Sequence, residues 1–343
     1  MKNNPLISVV LPTYNVAQYL QQCLESVAAQ TYRNIEVIII IDGATDGSHE
    51  IAQEFCKTDS RFYVYWQENA GSGPARNAGL AHCQGELVMF VDPDDWIEPE
   101  LLEKLFEAQR EGDYDLVASM RTFVTCNESG NIIRVHKRHY EDETIANQME
   151  VRKAYMRMLE KGVVSDPTQK LYKLSLIRKN NIEFPPLRRS QDVAFNYRYY
   201  NHIHSLRLIS YSGYNYRLIL QHASKAPQNY GKTIRVLYTD CQTMYASWGI
   251  PFPEQQMCDF FFRVRLYSYL QKAIAQDWNI ATLVEEPILR HIIETACPST
   301  SYLKMTRRLI LSHSYQSLKL FFKFISFVKL RVLRVSRVQG ELR

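Results

Sequence analysis

A chain of 343 residues with 46% hydrophobic and 22% charged residues can bury a core for one large domain or two ordinary ones, which excludes a disordered or fibrous protein. Its seven cysteines (Cys23, Cys56, Cys83, Cys126, Cys241, Cys258, Cys297) are scattered without a CxxC pair, which argues for reduced thiols in a cytoplasmic protein and against a disulfide framework or a zinc motif. The net charge of +5 is unevenly placed: from Lys304 onward ten basic residues face Glu341 alone, so that segment carries +9 and residues 1–303 carry −4.

The chain opens MKNNPLISVV, one lysine and then a five-residue apolar run too short for the core of a signal peptide. ISVVL (7–11) instead reads as a strand buried on both faces. Asn15 is placed to cap a helix whose apolar positions are Tyr19, Leu20, Cys23, Leu24 and Val27. IEVIIII (35–41) is a second buried strand, broken by Asp42-Gly43, with a helix from SHEIAQEFC. FYVYW (62–66) is a third strand, and Pro74 suits the first position of the helix PARNAGLAHC. ELVMFV (86–91) is a fourth, with Pro99 opening PELLEKLFEAQR. This βα alternation implies a mostly parallel sheet with helices on both faces.

The rhythm changes near residue 121. FVTCNESGNIIRV predicts a hairpin with Ser129-Gly130 in its turn. Helical spacing follows over 148–161, 174–180 and 191–201, then an aromatic strand-like stretch, LRLISYSGYNYR (206–217). Tyr211, Tyr214 and Tyr216 read as strand packing in preference to a sugar platform. Beyond about 230 the pattern is helical. The expected division is therefore an α/β domain over 1–220 (halves at about 1–120 and 121–220), a helical extension over 221–303 and a basic tail over 304–343.

In the tail, Leu318, Phe321, Phe324, Ile325, Val328, Val332 and Val335 share one helical face, with Lys319, Lys323, Arg334 and Arg337 opposite. Lys323, Ser326 and Lys329 interrupt the apolar run, so it is not an ordinary ~20-residue transmembrane span. Such a helix suits an anionic membrane surface. The alternatives are packing on the protein's own body or a homodimer contact. Nucleic acid is disfavoured, since no recognition motif accompanies the basic stretch.

Open parallel sheets bind ligands at the carboxyl ends of their strands. Here those ends carry Pro12-Thr13-Tyr14-Asn15, Asp42-Gly43 and Asp92-Pro93-Asp94-Asp95. Three crowded aspartates repel one another unless positive charge joins them. Mg²⁺ or Mn²⁺ would suit, with a diphosphate substrate completing the shell. The plainer alternative is that Asp95 caps a helix and the others are solvated.

SVVLPTYN (8–15), QTYRNIEVIIIIDGATDGS (30–48), NAGSGPARNAGL (69–80) and FVDPDDW (90–96) resemble, in order and spacing, the family 2 glycosyltransferases with the GT-A fold, over about residues 5–220. The resemblance is to the bacterial branch that builds surface polysaccharides. It implies that Pro12 and Tyr14 of the first loop hold a nucleobase, usually uracil, with Asp42 accepting the imide N–H. Arg76 would lie near the phosphates and Asp92 on the ribose. Asp94, with Asp95 beside it, would bind Mn²⁺ or Mg²⁺. RRSQDVAFNYRYY (188–200) matches the segment that carries the family's base, which makes Asp192 the base, with SDPTQKLYKLSLI (165–177) preceding it.

Each residue also has a structural alternative: Tyr14 as a core aromatic, Arg76 on a helix surface, Asp192 as an N-terminal helix carboxylate. Two positions depart from the family pattern. Ile41 stands where an aspartate often precedes Asp42, and Gln191 stands where a glutamate often precedes Asp192 and helps orient the acceptor. His202 and His204 form no compact ligand motif, and His222 is a secondary candidate for metal or phosphate.

The expectation is an inverting, metal-dependent transferase moving sugar from a nucleotide donor, UDP-linked, to a lipid-linked glycan such as lipopolysaccharide or capsule. It would sit peripherally at the inner face of a bacterial plasma membrane. The rivals are a non-catalytic scaffold relative, for which Gln191 would mark lost activity, and a sugar nucleotidyltransferase, which would show a glycine-rich basic loop where this chain has LPTYN.

Overall fold

The computed structural model describes residues 4–127, 129–137, 139–187, 190–219 and 230–325. The chain divides into two compact units, residues 1–223 and 224–343.

In the first unit the predicted alternation is present: β1 (Ile7–Thr13), α1 (Ala17–Ala28), β2 (Ile35–Asp42), α2 (Ser48–Thr58), β3 (Phe62–Gln67), α3 (Ser72–His82) and β4 (Leu87–Phe90). Then come β5 (Trp96–Ile97), α4 (Leu101–Gly112), β6 (Leu116–Ala118), β7 (Arg121–Cys126), β8 (Ile132–Lys137), β9 (Glu143–Ile145) and α5 (Gln148–Glu160). The unit is completed by β10 (Lys170–Lys173), α6 (Leu174–Lys179), α7 (Gln191–Tyr200), β11 (Leu206–Leu208) and β12 (Tyr214–Ile219).

Eight strands form one sheet in the order β3-β2-β1-β4-β10-β6-β11-β9. Its first four strands run parallel, and β10 runs antiparallel to both β4 and β6. A second sheet, β5-β12-β7-β8, is not foreseen from the sequence. It arises because the stretch 206–217 is not one strand: β11 joins the large sheet and β12 the small one. The expected hairpin is β7–β8, with Gly130 at φ 81° in its turn.

Alternation along β1 sorts the helices by face. Val9 and Leu11 pack with Leu20, Cys23 and Leu24 of α1 and with Leu101, Leu102 and Leu105 of α4. Val10 faces the other way, toward α3, whose Gly79 approaches so closely that a Cβ there would lie 2.4 Å from Val10 Cγ1.

Three local expectations are corrected. Asn15 does not cap α1. It turns left-handed (φ 47°) and its Oδ1 accepts the Thr45 N–H at 2.9 Å, while Asp46 accepts the first helical N–H, that of Ala17, at 2.9 Å. A loop-to-loop link has displaced the local cap. Pro74 is third, not first, in α3, still within the turn where a missing N–H costs nothing. Tyr19 is half-exposed, outside the buried face of α1.

The second unit is helical throughout its described residues: α8 (Tyr230–Trp248), α9 (Glu254–Phe260), a π-helical turn (Phe261–Leu266), α10 (Tyr267–Ala275), α11 (Ile280–Val284), α12 (Pro287–Thr295) and α13 (Ser301–Leu311). Residues 315–325 are helical as well. Leu318 and Phe322 are buried, Phe322 against Tyr267, whereas Leu320 and Phe324 stand 67% and 63% exposed. Leu318 and Phe324, expected on one face, therefore lie on different ones, because the helix packs part of its circumference on its own unit. The remainder of the tail lies outside the described residues.

Candidate active site

Because β2, β1 and β4 run parallel side by side, their carboxyl ends share one edge of the sheet. Pro12 is tolerated inside β1 because β4 has already peeled away: the Val10 carbonyl accepts the Val91 N–H, and the ladder with β4 stops there. Tyr14 follows, half-exposed, on a loop that Asn15–Thr45 and Val16–Ser48 hydrogen bonds fasten to the loop after β2.

Asp42 ends β2 and is buried, yet its carboxylate is far from idle. One oxygen accepts from Gln67 Nε2 (2.7 Å) and the Ala70 N–H (2.8 Å); the other accepts the Gly71 N–H at 2.8 Å. It thus organises the loop that leads into α3. Gly43 follows at φ 68°, with room for no side chain, since a Cβ would lie 2.8 Å from Asn69 N. A carboxylate has about four acceptor positions, so three bonds leave one for a ligand.

The aspartates after β4 take three different environments. Asp92 Oδ1 accepts from Arg76 Nη2 at 2.6 Å. Arg76 is buried on α3, lies over the Phe184 ring at 5.4 Å, and keeps a buried Nε–H without a partner among the described residues. Asp95 is 1% exposed. Its oxygens accept from Tyr214 Oη (2.8 Å) and the Arg217 N–H (2.7 Å), and burial, then Asp94 and Asp92, push its carboxyl well above the usual range.

Asp94 alone makes no side-chain hydrogen bond to another described residue. Burial and the neighbouring Asp92 raise its carboxyl to about 6. Hard-cation chemistry fits this carboxylate best. Asp95, expected to ligate beside it, is turned inward, and each of its oxygens accepts one hydrogen bond from β12.

Part of the positive charge the aspartates need comes from the protein. Arg217 of β12 donates from Nε to the Asp94 carbonyl (2.8 Å) and from Nη2 to Gln22 Oε1 (2.5 Å). Its guanidinium lies over the rings of Tyr19 (4.7 Å) and Trp96 (4.6 Å). Tyr214, expected as strand packing, is indeed fully buried, but its hydroxyl also accepts the Asp92 N–H at 3.1 Å.

Asp192 lies in the first turn of α7. An aromatic cluster anchors that helix at the end of β4: Phe195 stacks on Phe184 at 4.0 Å, and Phe90 meets both rings edge-on at 5.2 and 5.6 Å. Each such ring pair adds about 0.5–1.5 kcal/mol beyond burial. Gln191 donates from Nε2 to Ser72 Oγ at 2.6 Å, which ties α7 to the start of α3, and its buried Oε1 has no partner among the described residues. Asp192 is close enough to Arg76 and to Lys170 to favour the charged form of both.

Lys170 escapes sequence reasoning. Wholly buried on β10, it donates to the backbone carbonyls of Asp166 and Thr168. Burial lowers its pKa to about 7, against the opposing pull of Asp166. Arg121, also buried, pairs with Asp166 at 2.5 Å and with Gln169 Oε1 at 2.9 Å. A lone lysine in a strand pattern carries no motif that would have flagged it.

The histidines fall elsewhere. The N–H of His204 is held by Asp115 at the amino end of β6, the opposite edge of the sheet, and His202 lies beside it in sequence. His222 lies outside the described residues.

The profile described as Glycosyl transferase family 2 matches residues 8–176. Among curated proteins, EpsH of Bacillus subtilis, carried as a glycosyltransferase, is 34% identical over 67% of this chain and 65% of its own length. Glycosyltransferase GlyG of Streptococcus pneumoniae is 33% identical over 62% of this chain and 70% of its own length. The matched region thus spans about two thirds of these relatives, and only 18% of glycosyltransferase GlyA of the same organism, where identity is 43%. Among solved structures, residues 1–349 of S. aureus TarS superpose with a TM-score of 0.61 at 19% identity, over 92% of this chain and 90% of that one. That likeness concerns the fold. TarS has also been solved in complex with UDP-GlcNAc, with the same TM-score of 0.61.

Proposed function

Because this chain belongs to glycosyl transferase family 2, we propose that it transfers a sugar, with inversion, from a UDP-linked donor to a hydroxyl of a lipid-linked surface glycan. The observation that carries the reading is the placement of Asp94, a half-buried carboxylate with no hydrogen bond to another described residue, at the same sheet edge as Tyr14, Asp42 and the Arg76–Asp92 pair.

Tyr14 offers an exposed aromatic face to the nucleobase and Asp42 its remaining acceptor position. Asp92, oriented by Arg76, takes a ribose hydroxyl. Arg76 is buried behind Asp92, so its part is to set that carboxylate beside the phosphates. Asp94 would hold Mn²⁺ or Mg²⁺, and Asp95 holds β12 and the turn around it. The cation, when bound, neutralises charge on the diphosphate.

Asp192 accepts the proton of the acceptor hydroxyl. The hydroxyl oxygen bonds to the anomeric carbon, the bond from that carbon to the diphosphate breaks, and its electron pair leaves with the nucleoside diphosphate. Gln191, bound to Ser72, positions the first turn of α7 and contributes no charge.

The acceptor reading is supported by the basic segment from Lys304 onward and by exposed Leu320 and Phe324 beside Lys319 and Lys323. No helix among the described residues is long and apolar enough to cross a membrane. A peripheral place at the inner face of a bacterial plasma membrane accommodates both facts.

The test is thermal stability against a panel of nucleotide sugars, with and without Mn²⁺. A rise with one UDP-sugar plus cation supports the reading and identifies the donor class. No shift with any nucleotide sugar while the cation is present would overturn it.

A further inference from the structure

Three side chains able to ligate a metal, of different chemistry, meet inside the helical unit, and the sugar-transfer reading uses none of the three. Glu254 and Cys258 are four apart on α9 and so share a face, and His291 reaches them from α12. One carboxylate oxygen, the thiol sulfur and a ring nitrogen all lie within 4.8 Å of one another. Among the described residues no other three of His, Cys, Asp or Glu do so, the aspartates after β4 included.

The three side chains are also linked to one another and to α8. His291 Nε2 lies 2.6 Å from Glu254 Oε1. Tyr238 Oη of α8 lies 2.8 Å from that oxygen and 3.2 Å from Cys258 Sγ. Cys258 is fully buried, whereas His291 and Glu254 each keep 45% of their side chains exposed, which leaves an entry path from solvent.

We propose that Cys258, His291 and Glu254 bind a Zn²⁺ ion, with water in the fourth position. Thiolate and imidazole select zinc over the hard cations suited to Asp94. Zinc bonds of ~2.0–2.3 Å place tetrahedral neighbours about 3.4–3.7 Å apart. The Glu254–His291 contact must therefore open by about 1 Å, a side-chain rotation at an exposed pair. The thiol of Cys258 loses its proton to solvent on binding, and His291 binds through neutral Nε2. Tyr238 then donates its hydroxyl hydrogen to a ligand atom from outside the coordination sphere.

The experiment is a Co²⁺ titration of the full-length chain after chelation and dialysis, read by absorption. The expected result is a thiolate-to-cobalt charge-transfer band with tetrahedral visible bands, saturating at one equivalent and abolished by one equivalent of Zn²⁺. Cys258→Ser should remove the band. His291→Gln, at an exposed position that leaves the fold intact, should weaken cobalt binding at least tenfold, and Tyr238→Phe about tenfold. Cys23→Ser and Cys297→Ser should leave the band unchanged. No thiolate band in the parent protein, or one that survives Cys258→Ser, would overturn the proposal. Neither result depends on nucleotide-sugar binding.

Discussion

The hydroxyl of Tyr214 donates to Asp95 Oδ2 at 2.8 Å and accepts the Asp92 N–H at 3.1 Å. A single atom from β12 thereby holds two of the three aspartates that follow β4, although 119 residues separate Tyr214 from Asp95. The acidic turn keeps its shape because the small sheet reaches back to it.

Tyr214→Phe should leave the Asp95 carboxylate and the Asp92 N–H short of a buried partner. The expected cost is about 1–3 kcal/mol in urea unfolding, with weaker Mn²⁺ binding because Asp94 sits between the two loosened positions. Unchanged stability and unchanged cation affinity together would remove Tyr214 from this role.

The raised carboxyl of Asp94 predicts a pH dependence of defined sign. A folded pKa of about 6 lies above the ~3.9 of an unfolded aspartate. This group's contribution to the cation-free fold is therefore fully present below the unfolded value and is lost as pH rises through about 6. Cation binding needs the ionised form, so affinity should fall as pH drops below about 6. Calorimetric titration of Mn²⁺ from pH 5 to 8 measures this. Equal affinity at both ends would contradict the assignment, as would a slope that persists in Asp94→Asn.

If Asp192 is the base proposed above, Asp192→Asn should lower kcat by about 10²–10⁴-fold and leave the thermal shift given by UDP intact, since that role involves the acceptor and not the nucleotide. Equal loss of nucleotide binding would recast Asp192 as a structural residue of α7.

Gln191→Glu should be tolerated in place, since a carboxylate can accept from Ser72 Oγ, now 2.6 Å away. It would set a second negative charge beside Asp192 and raise the pKa of this proposed base. The acidic limb of the pH–rate profile should then move to higher pH. A shift in the other direction would remove Asp192 from the role of base.

Asp42→Asn replaces one of two accepting oxygens by a donor facing an N–H of the loop before α3. Unfolding free energy should fall by about 1–3 kcal/mol, along with affinity for the nucleotide. Urea unfolding and nucleotide titration of the same variant separate the two effects: a loss of affinity alone would mean that the loop does not depend on Asp42.

What the sequence determined was local and periodic. Buried runs such as ISVVL and IEVIIII need both faces covered, so β1 and β2 could be placed, and with them the shared edge carrying Tyr14, Asp42 and Asp92. The 3.6-residue spacing of α5 and α7 was legible for the same reason. What only the tertiary structure decided was which partner each polar group takes. Asn15 left the helix cap for Thr45, Asp95 turned to Tyr214 and Arg217, and Cys258 met His291 33 residues away in the sequence, because hydrogen-bond partners are chosen by proximity after the chain has collapsed. A strand pattern cannot show that β11 and β12 separate into two sheets, and it was that separation which brought Arg217 to the aspartates.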